Sequence, residues 1–217
     1  MKTWFPTFFF FFFFFFLLYV SSAAWSHSTT AESGKSGKSG SSDDLIRTSC
    51  IHARYPKLCL RTLSSYRGPV KTPNDLAQAA VNVSLSRAQK VSEYLTRVKS
   101  SQGGEGSNKR QRVAVTDCVE QLSDSVDELR KTLTELRNLR GRSGKFRWHM
   151  SNAETWVSAA LTNEDTCLDG FKKVNGIGKK VTSDVKRKMR NVSKVTSNAL
   201  YLINRLDDAH GLGRINL

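Results

Sequence analysis

Four cysteines are the residues of this chain whose spacing most clearly indicates a chemistry. They are Cys50, Cys59, Cys118 and Cys167. A zinc site is not expected, because no two cysteines form a Cys-x-x-Cys pair and the four histidines are scattered along the chain. Two disulfides are expected instead. Four cysteines allow three pairings, but the short gap between Cys50 and Cys59 favours a bridge between them, which leaves Cys118 to pair with Cys167.

Carboxylates are the other candidates for chemistry, and they give no sign of an active site. Asp124, Asp127 and Glu128 are close in sequence, but Arg130 and Lys131 stand at the helical spacing that forms ion pairs with them. No serine lies in a Gly-x-Ser-x-Gly elbow, and no nucleophile with a base and an orienting group is evident. We therefore predict a protein that is not an enzyme, with no catalytic residue, no cofactor and no bound metal.

The N-terminus has the composition of an export signal followed by a tether. Residues 1–24 begin with a positive charge at Lys2, continue with an apolar run that is short for a bilayer span, and end in small residues. An uncleaved anchor is the alternative. Residues 25–42 are rich in serine, glycine and lysine, which predicts a flexible tether, and their Gly-Lys-Ser triplets lack the strand and helix that flank a phosphate loop. Removal of the leader would leave a soluble, secreted protein in an oxidising compartment, without membrane contact.

The chain is strongly basic, with a formal net charge of +15 that falls to +14 once Lys2 leaves with the leader. Such a charge favours a polyanionic partner. Nucleic acid is not expected behind an export signal, so an acidic extracellular polysaccharide is the better candidate. Basic residues concentrate in the last helical pattern, where a solvated outer face is the simpler interpretation. They are Lys179, Lys180, Lys186, Arg187, Lys188, Arg190 and Lys194.

The cysteines must be positioned by helices, because no strand pattern competes with the helical periodicity that follows the tether. Residues 43–68 predict a short helical hairpin. Two aspartates at its start are expected to cap the first helix, and Tyr55-Pro56 interrupts the chain before the second. The disulfide from Cys50 to Cys59 would then pin the hairpin.

Four long helical patterns occupy residues 69–209, with apolar residues at every third or fourth position. Asn74 or Asp75 is expected to cap the first of them, and Gly211 and Gly213 to release a tail at 210–217. In the first, second and fourth patterns the stripes comprise Leu76, Ala80, Val83, Val91, Leu95 and Val98, then Val115, Cys118, Leu122, Val126, Leu129, Leu133 and Leu136, and finally Val181, Val185, Met189, Val192, Val195, Ala199, Leu202 and Leu206. The fold class predicted is all-α: an up-down-up-down four-helix bundle preceded by the disulfide-pinned hairpin.

The third pattern combines an apolar stripe with a cysteine at its end. Its stripe, expected to be buried, consists of Ala153, Trp156, Val157, Ala160, Leu161 and Cys167. Small alanines between bulky residues would let a neighbouring helix approach closely. Because antiparallel neighbours reverse direction, Cys118 and Cys167 would lie at the same end of the bundle, which makes a disulfide between them sensible.

Two stretches resemble a known family. They are Trp156-Val-Ser-Ala-Ala-Leu-Thr-Asn-Glu-Asp-Thr-Cys167 and Cys50-Ile-His-Ala-Arg-Tyr-Pro-Lys-Leu-Cys59. Together with the cysteine order and the four helical patterns, they make the region from Asp43 to Leu206 similar to a plant invertase/pectin methylesterase inhibitor domain. The resemblance implies disulfides from the first to the second and from the third to the fourth cysteine. It also implies a stoichiometric protein inhibitor that covers the substrate cleft of its partner enzyme.

Pectin methylesterase is the partner that the resemblance favours. The stretch from Trp156 to Asn163 is closer to the pectin methylesterase inhibitors, and Gly144-Lys145-Phe146 lacks the proline of the Pro-Lys-Phe found in invertase inhibitors. Acid invertase is the alternative partner. A third interpretation is a non-inhibitory basic wall protein in electrostatic contact with de-esterified pectin. In each case the expected location is the apoplast and cell wall.

The resemblance also implies where the enzyme would bind, because inhibitors of this family present their second and third bundle helices to it. The exposed candidates on these helices are Asp124, Asp127, Glu128, Lys131, Glu135 and Asn163.

Two asparagines match the acceptor rule for N-glycosylation, Asn82 in Asn82-Val-Ser84 and Asn191 in Asn191-Val-Ser193. Both fall inside helical patterns. If Val83 and Val192 face the core, the preceding asparagines point about 100° away from it. We therefore treat both asparagines as glycosylation candidates.

Overall fold

A computed structural model describes residues 40–101, 109–139, 145–172, 174 and 179–215. The predicted leader 1–24 and most of the predicted tether 25–42 lie outside the described residues, as do the glycine-containing breaks between the long helices. All described residues belong to one compact unit, Gly37–Leu217.

Two short helices precede the bundle and form the predicted hairpin. Helix α1 spans Gly40–Cys50 and helix α2 spans Pro56–Ser64. The aspartate pair does not precede α1, because Asp43 lies within its first turn and the helix begins at Gly40. A disulfide joins Cys50 to Cys59 across the turn between the helices.

The hairpin is held on the bundle through the buried side chain of Asn198. Its Oδ1 accepts a hydrogen bond from the backbone N–H of Tyr55 at 3.0 Å, and its Nδ2 donates to the carbonyl oxygen of Tyr55 at 3.1 Å. Both backbone groups of the turn are therefore satisfied by one side chain, as burial requires.

Four long helices form the body of the protein. They are α3 (Pro73–Ser101), α4 (Lys109–Asn138), α5 (Phe146–Gly170) and α6 (Lys179–Ile215). Helix α4 packs against α3 and α5, and α6 packs against the same two helices, which closes a ring of four neighbours. The predicted all-α four-helix bundle is confirmed, and the described part of the chain contains no strand.

The cap of α3 lies two or three residues before the predicted positions, Asn74 and Asp75. Thr72 precedes the helix and Pro73 is its first residue, where the missing N–H of proline costs nothing. The Thr72 hydroxyl accepts from the Asp75 N–H at 3.1 Å, and the Asp75 carboxylate accepts from the Thr72 N–H at 3.0 Å. This reciprocal pair is a capping box, so Thr72 rather than Asn74 or Asp75 is the cap.

The predicted apolar stripes of α4 and α6 form most of the core. Every stripe residue predicted on α4 is buried, and on α6 only Val181 and Leu206 are half-buried. On α3, the prediction of Val83 as a core residue is wrong by two positions, because Val81 is completely buried while Val83 lies at the edge. Gly211 and Gly213 do not end α6, which continues to Ile215, since each glycine costs only about 1 kcal/mol in a helix.

Helix α5 buries a narrower face than predicted. Ala153, Val157, Ala160 and Cys167 are buried, but Trp156 and Leu161 are only half-buried. The prediction that these two are core residues is corrected: each lies one position off the stripe, about 100° around the helix. The buried face is completed by Met150 and, unexpectedly, by Glu164.

A second disulfide ties α5 to α4 by joining Cys118 to Cys167, the pairing that remained after the first bridge was assigned. Both cysteines are buried, so the bridge lies inside the bundle. Within the described ranges, none of the helices has the length and apolar character needed to cross a membrane.

Candidate functional site

The seam between α4 and α5 brings together most of the residues predicted to contact an enzyme. At one end of this seam, the Nδ2 of Asn163 on α5 donates a hydrogen bond to the Oε2 of Glu128 on α4 at 2.9 Å. Both side chains are half-buried. Each therefore keeps polar surface toward solvent while its partner limits its rotation.

The next turn of α4 places Lys131 against an aromatic ring of α5. The Lys131 ammonium lies 4.3 Å from the centre of the Trp156 ring, which is within the range of a cation–π interaction. This contact explains why Trp156 lies at the edge of the core, because its ring supports an exposed cation. An exposed contact of this kind contributes about 0.5–1 kcal/mol.

Glu135 extends the seam by one further turn. Its Oε2 lies 2.6 Å from the Nδ1 of His149, and its Oε1 accepts a longer hydrogen bond of 3.4 Å from the Nδ2 of Asn152. The side chains of Glu135 and His149 are 18% and 17% exposed, respectively. Glu128, Lys131 and Glu135 follow one another at spacings of three and four, so one face of α4 holds three successive polar contacts to α5.

The two predicted aspartates differ in position. Asp124 is exposed one turn before Glu128 and shares its face of α4. Asp127 is paired with Arg130 on its own helix, at 2.6 Å, and both line a cleft of about 520 Å3 between α3 and α4. Asp127 therefore lies away from the seam, although it is on the predicted helix.

The surroundings of Glu128 in the seam shift its pKa. Partial burial raises the pKa of this carboxyl, and the nearby charge of Asp124 acts in the same direction, while the hydrogen bond from Asn163 lowers the pKa. The seam thus presents alternating acidic and basic groups on two rigid helices, and such preordered polar groups suit recognition of a protein surface. Among the described residues, no group of three or more His, Cys, Asp or Glu side chains is arranged to hold a metal ion.

Glu164 is a buried carboxyl that the sequence analysis did not identify. Its side chain is completely buried between three helices, and its Oε1 accepts hydrogen bonds from the hydroxyls of Ser125 on α4 and Thr196 on α6, each at 2.9 Å. No described side chain or backbone group pairs with Oε2. Burial raises the pKa of Glu164 to about 8, against the lowering effect of the two hydrogen bonds. The spacing Ala160, Glu164, Cys167 along the stripe was the signal for this burial.

The glycosylation candidates both take part in hydrogen bonds. The Nδ2 of Asn82 on α3 donates to the Tyr66 hydroxyl at 3.3 Å, and the Oδ1 of Asn191 on α6 accepts from the guanidinium of Arg87. Both asparagines are half-buried and lie in the middle of long helices. Their glycosylation stays a prediction.

Comparison with known proteins identifies relatives along most of the chain. The family described as plant invertase/pectin methylesterase inhibitor matches residues 44–202. Pectinesterase inhibitor 3 of Arabidopsis thaliana is 49% identical over 81% of this chain and 85% of its own length. The 21 kDa protein of Daucus carota is 39% identical over 77% of this chain and 86% of its own length.

A solved structure supports the fold. The crystal structure of a mutant form of a pectin methylesterase inhibitor from Arabidopsis superposes with a TM-score of 0.59, at 21% identity, over 73% of this chain and 95% of that one. At this identity the likeness concerns the fold alone. The family match over residues 44–202 and the sequence identity to these relatives lead to one conclusion: this chain belongs to the plant invertase/pectin methylesterase inhibitor family.

Proposed function

We propose that this protein is a secreted inhibitor of pectin methylesterase, which binds the enzyme stoichiometrically and covers its substrate cleft. The observation that carries the proposal is the α4–α5 seam, where Glu128, Lys131 and Glu135 are each held by a partner on α5. Side chains fixed in this way lose little conformational freedom on binding, so more of the contact energy remains as affinity. Membership of an inhibitor family and the similarity to pectinesterase inhibitor 3 of Arabidopsis thaliana support the choice of enzyme.

The proposed location is the apoplast and cell wall. Two disulfides at Cys50–Cys59 and Cys118–Cys167 suit an oxidising compartment, and the N-terminal sequence has the composition of an export signal. Inhibition there would regulate the de-esterification of pectin. Acid invertase is the second candidate target, because the family description includes inhibitors of both enzymes.

Charge reversal on the seam tests the site. Lys131 is exposed, so Lys131→Glu removes the contact with Trp156 and inverts a surface charge without opening the core. We expect the concentration needed for half-inhibition of pectin methylesterase to rise at least about tenfold, since reversing a charge places like charges against each other across the interface and lowers affinity. Thermal melting of the variant should stay close to the wild type.

The matched control is Lys186→Glu, the same substitution on α6, a helix that is not part of the α4–α5 seam. Its half-inhibition concentration should stay within about twofold of the wild type. Asp127→Arg tests the α3–α4 cleft independently of the seam, because Asp127 lines that cleft. If Asp127→Arg abolishes inhibition while Lys131→Glu has no effect, the enzyme binds on the α3 side of α4 and the proposed seam is wrong.

A further inference from the structure

A basic groove runs along the side of the molecule where the hairpin meets α3 and α6. It consists of two clefts that share Arg61. The first, of about 530 Å3, lies between α2, the segment after it and α3, and its cations are Arg61, Arg67, Arg87 and Lys90. The second, of about 500 Å3, lies between the Tyr55-Pro56 turn, α2 and α6, and its cations are Arg54, Lys57, Arg61 and Lys194. None of the described residues lining either cleft is an aspartate or a glutamate.

The cations of this groove are not neutralised by any carboxylate that the structure describes. No ion pair recorded among the described side chains includes any of them, whereas exposed arginines elsewhere, Arg130 and Arg187, pair with aspartates. Arg87 is half-buried, and its guanidinium donates to the amide oxygen of Asn191, a neutral acceptor. Burial lowers the pKa of Arg87, and the charge of Arg61 lowers it further. Two cations held close together without a counter-ion destabilise a fold, so such an arrangement indicates a ligand.

The neutral groups of the groove favour a sugar over a simple anion. Thr62, Ser86 and Asn82 line the first cleft among the arginines and supply hydroxyl and amide partners for sugar hydroxyls. Tyr66 in the first cleft and Tyr55 in the second add aromatic faces on which a pyranose ring can pack. Lys194 lies 5.3 Å from the centre of the Tyr55 ring, so cationic and aromatic groups occur side by side.

Gly68 leaves room for the ring of Tyr66. A Cβ atom at residue 68 would lie 2.4 Å from Cε1 of the Tyr66 ring, so only glycine lets the ring pack against the chain at this point. The Tyr66 hydroxyl accepts from Asn82, which leaves its own proton free to donate to a ligand. The hydrogen bond from Asn82 therefore orients the Tyr66 hydroxyl of the first cleft without any ligand.

We propose that this groove binds a polyuronate, a sugar chain that carries a carboxylate on each ring. Arginine forms paired hydrogen bonds with carboxylates, and each cleft has the volume of a small-molecule site, about 300–1,000 Å3. The choice of a galacturonate chain rests on the proposed function, because de-esterification by pectin methylesterase produces that polymer. The groove lies on α2, α3 and α6, away from the α4–α5 seam. The inhibitor could thus hold the product polymer and the enzyme at the same time.

Calorimetric titration with a short, fully de-esterified galacturonate oligomer tests the groove. Arg61→Gln combined with Arg87→Gln should weaken binding at least about tenfold, because two charge-assisted contacts are lost. The matched control is Arg97→Gln combined with Arg112→Gln, which removes the same charge from exposed sites on α3 and α4 outside the groove. Its affinity should stay within about twofold of the wild type.

A second pair of substitutions lies outside the core. Lys57 and Lys194 are exposed, so Lys57→Gln with Lys194→Gln leaves the core intact and should weaken binding about threefold or more. Equal losses in the groove variants and in the control would show that only the net charge matters and would overturn the proposal. Equal binding of the methyl-esterified oligomer, or of polyglutamate with matching charge, would overturn it as well.

Two further measurements keep this proposal separate from the proposed function. A glycan on Asn82 or Asn191 would fill the groove, so its detection in the intact mass of the secreted protein would overturn polyuronate binding. Inhibition of pectin methylesterase should be unchanged in the Arg61→Gln, Arg87→Gln variant. A wild-type protein that inhibits the enzyme but does not bind the oligomer would refute the groove alone. One that binds the oligomer but inhibits nothing would refute the proposed function alone.

Discussion

Glu164→Gln should change how the stability of the protein depends on pH. Burial raises the pKa of this carboxyl from its reference of 4.5 to about 8 in the folded state. Between these two values the unfolded chain releases the proton and the folded chain keeps it. Raising the pH through this window therefore favours unfolding. Below pH 4.5 both states are protonated, and above pH 8 both are ionised, so the effect is confined to the window between.

The magnitude follows from the size of the window. Each pH unit between the two pKa values lowers the free energy of unfolding by about 1.4 kcal/mol. From pH 5 to pH 8, with allowance for partial ionisation at both ends, the loss attributable to Glu164 is roughly 3–4 kcal/mol. Glutamine has no charge to lose, and its carbonyl oxygen can accept the hydrogen bonds from Ser125 and Thr196.

Urea denaturation at pH 5, 6, 7 and 8 measures the effect. The difference in unfolding free energy between Glu164→Gln and the wild type should shift in favour of the variant by roughly 3–4 kcal/mol across this range. Any fixed cost of the new amide group cancels in that comparison. Glu120→Gln, the same substitution at an exposed site on α4, is the matched control. A difference between variant and wild type that stays constant with pH would refute the argument.

Three further predictions concern stability. Cys118→Ser should lower the free energy of unfolding by about 4 kcal/mol and Cys50→Ser by about 3 kcal/mol. The first loss is larger because the Cys118–Cys167 bridge joins residues 49 apart in sequence, whereas the Cys50–Cys59 bridge joins residues 9 apart, and a longer closed loop restricts the unfolded chain more. Equal or reversed losses in chemical denaturation would count against this ranking. Thr72→Ala should lower the unfolding free energy by about 1 kcal/mol through loss of the α3 capping box, and Thr72→Ser should restore most of it; an alanine variant as stable as the wild type would exclude the cap. A double-mutant cycle of Trp156→Leu and Lys131→Gln should give a coupling of about 0.5–1 kcal/mol in the free energy of unfolding, because each substitution removes one partner of the cation–π contact. If Trp156→Leu changes stability equally with and without Lys131→Gln, the contact contributes nothing.

The bundle was predictable from the sequence because its main signal is periodic. On α4, every predicted stripe residue from Val115 to Leu136 is buried, since one helix with two neighbours hides one continuous face. On α5 the stripe was displaced, because Trp156 is amphipathic and can pack at an edge while it supports a cation. The hydrophobicity of a tryptophan alone does not show whether it lies in the core or at the edge of the core.

The candidate site was less predictable because its contacts join residues that are distant in sequence. The choice of α4 and α5 came from the family resemblance, and the partners of Glu128, Lys131 and Glu135 required the register between the two helices. The surroundings of Glu164 could not be predicted because they involve three helices: Ser125 and Thr196, which donate hydrogen bonds to Glu164, lie on the two helices that neighbour α5. The basic groove similarly joins Arg61 of α2 to Arg87 of α3, a proximity that depends on how the hairpin docks through Asn198.

The most direct test of the proposed function is a titration of purified, disulfide-bonded protein against pectin methylesterase and acid invertase in parallel. With the esterase at a concentration above the dissociation constant of the complex, we predict that its activity falls linearly with added inhibitor and reaches its minimum at one inhibitor per enzyme. We predict no loss of invertase activity. A loss of invertase activity alone would show that the protein inhibits acid invertase instead of pectin methylesterase. Full activity of both enzymes in a molar excess of this protein would contradict the inhibitor function itself.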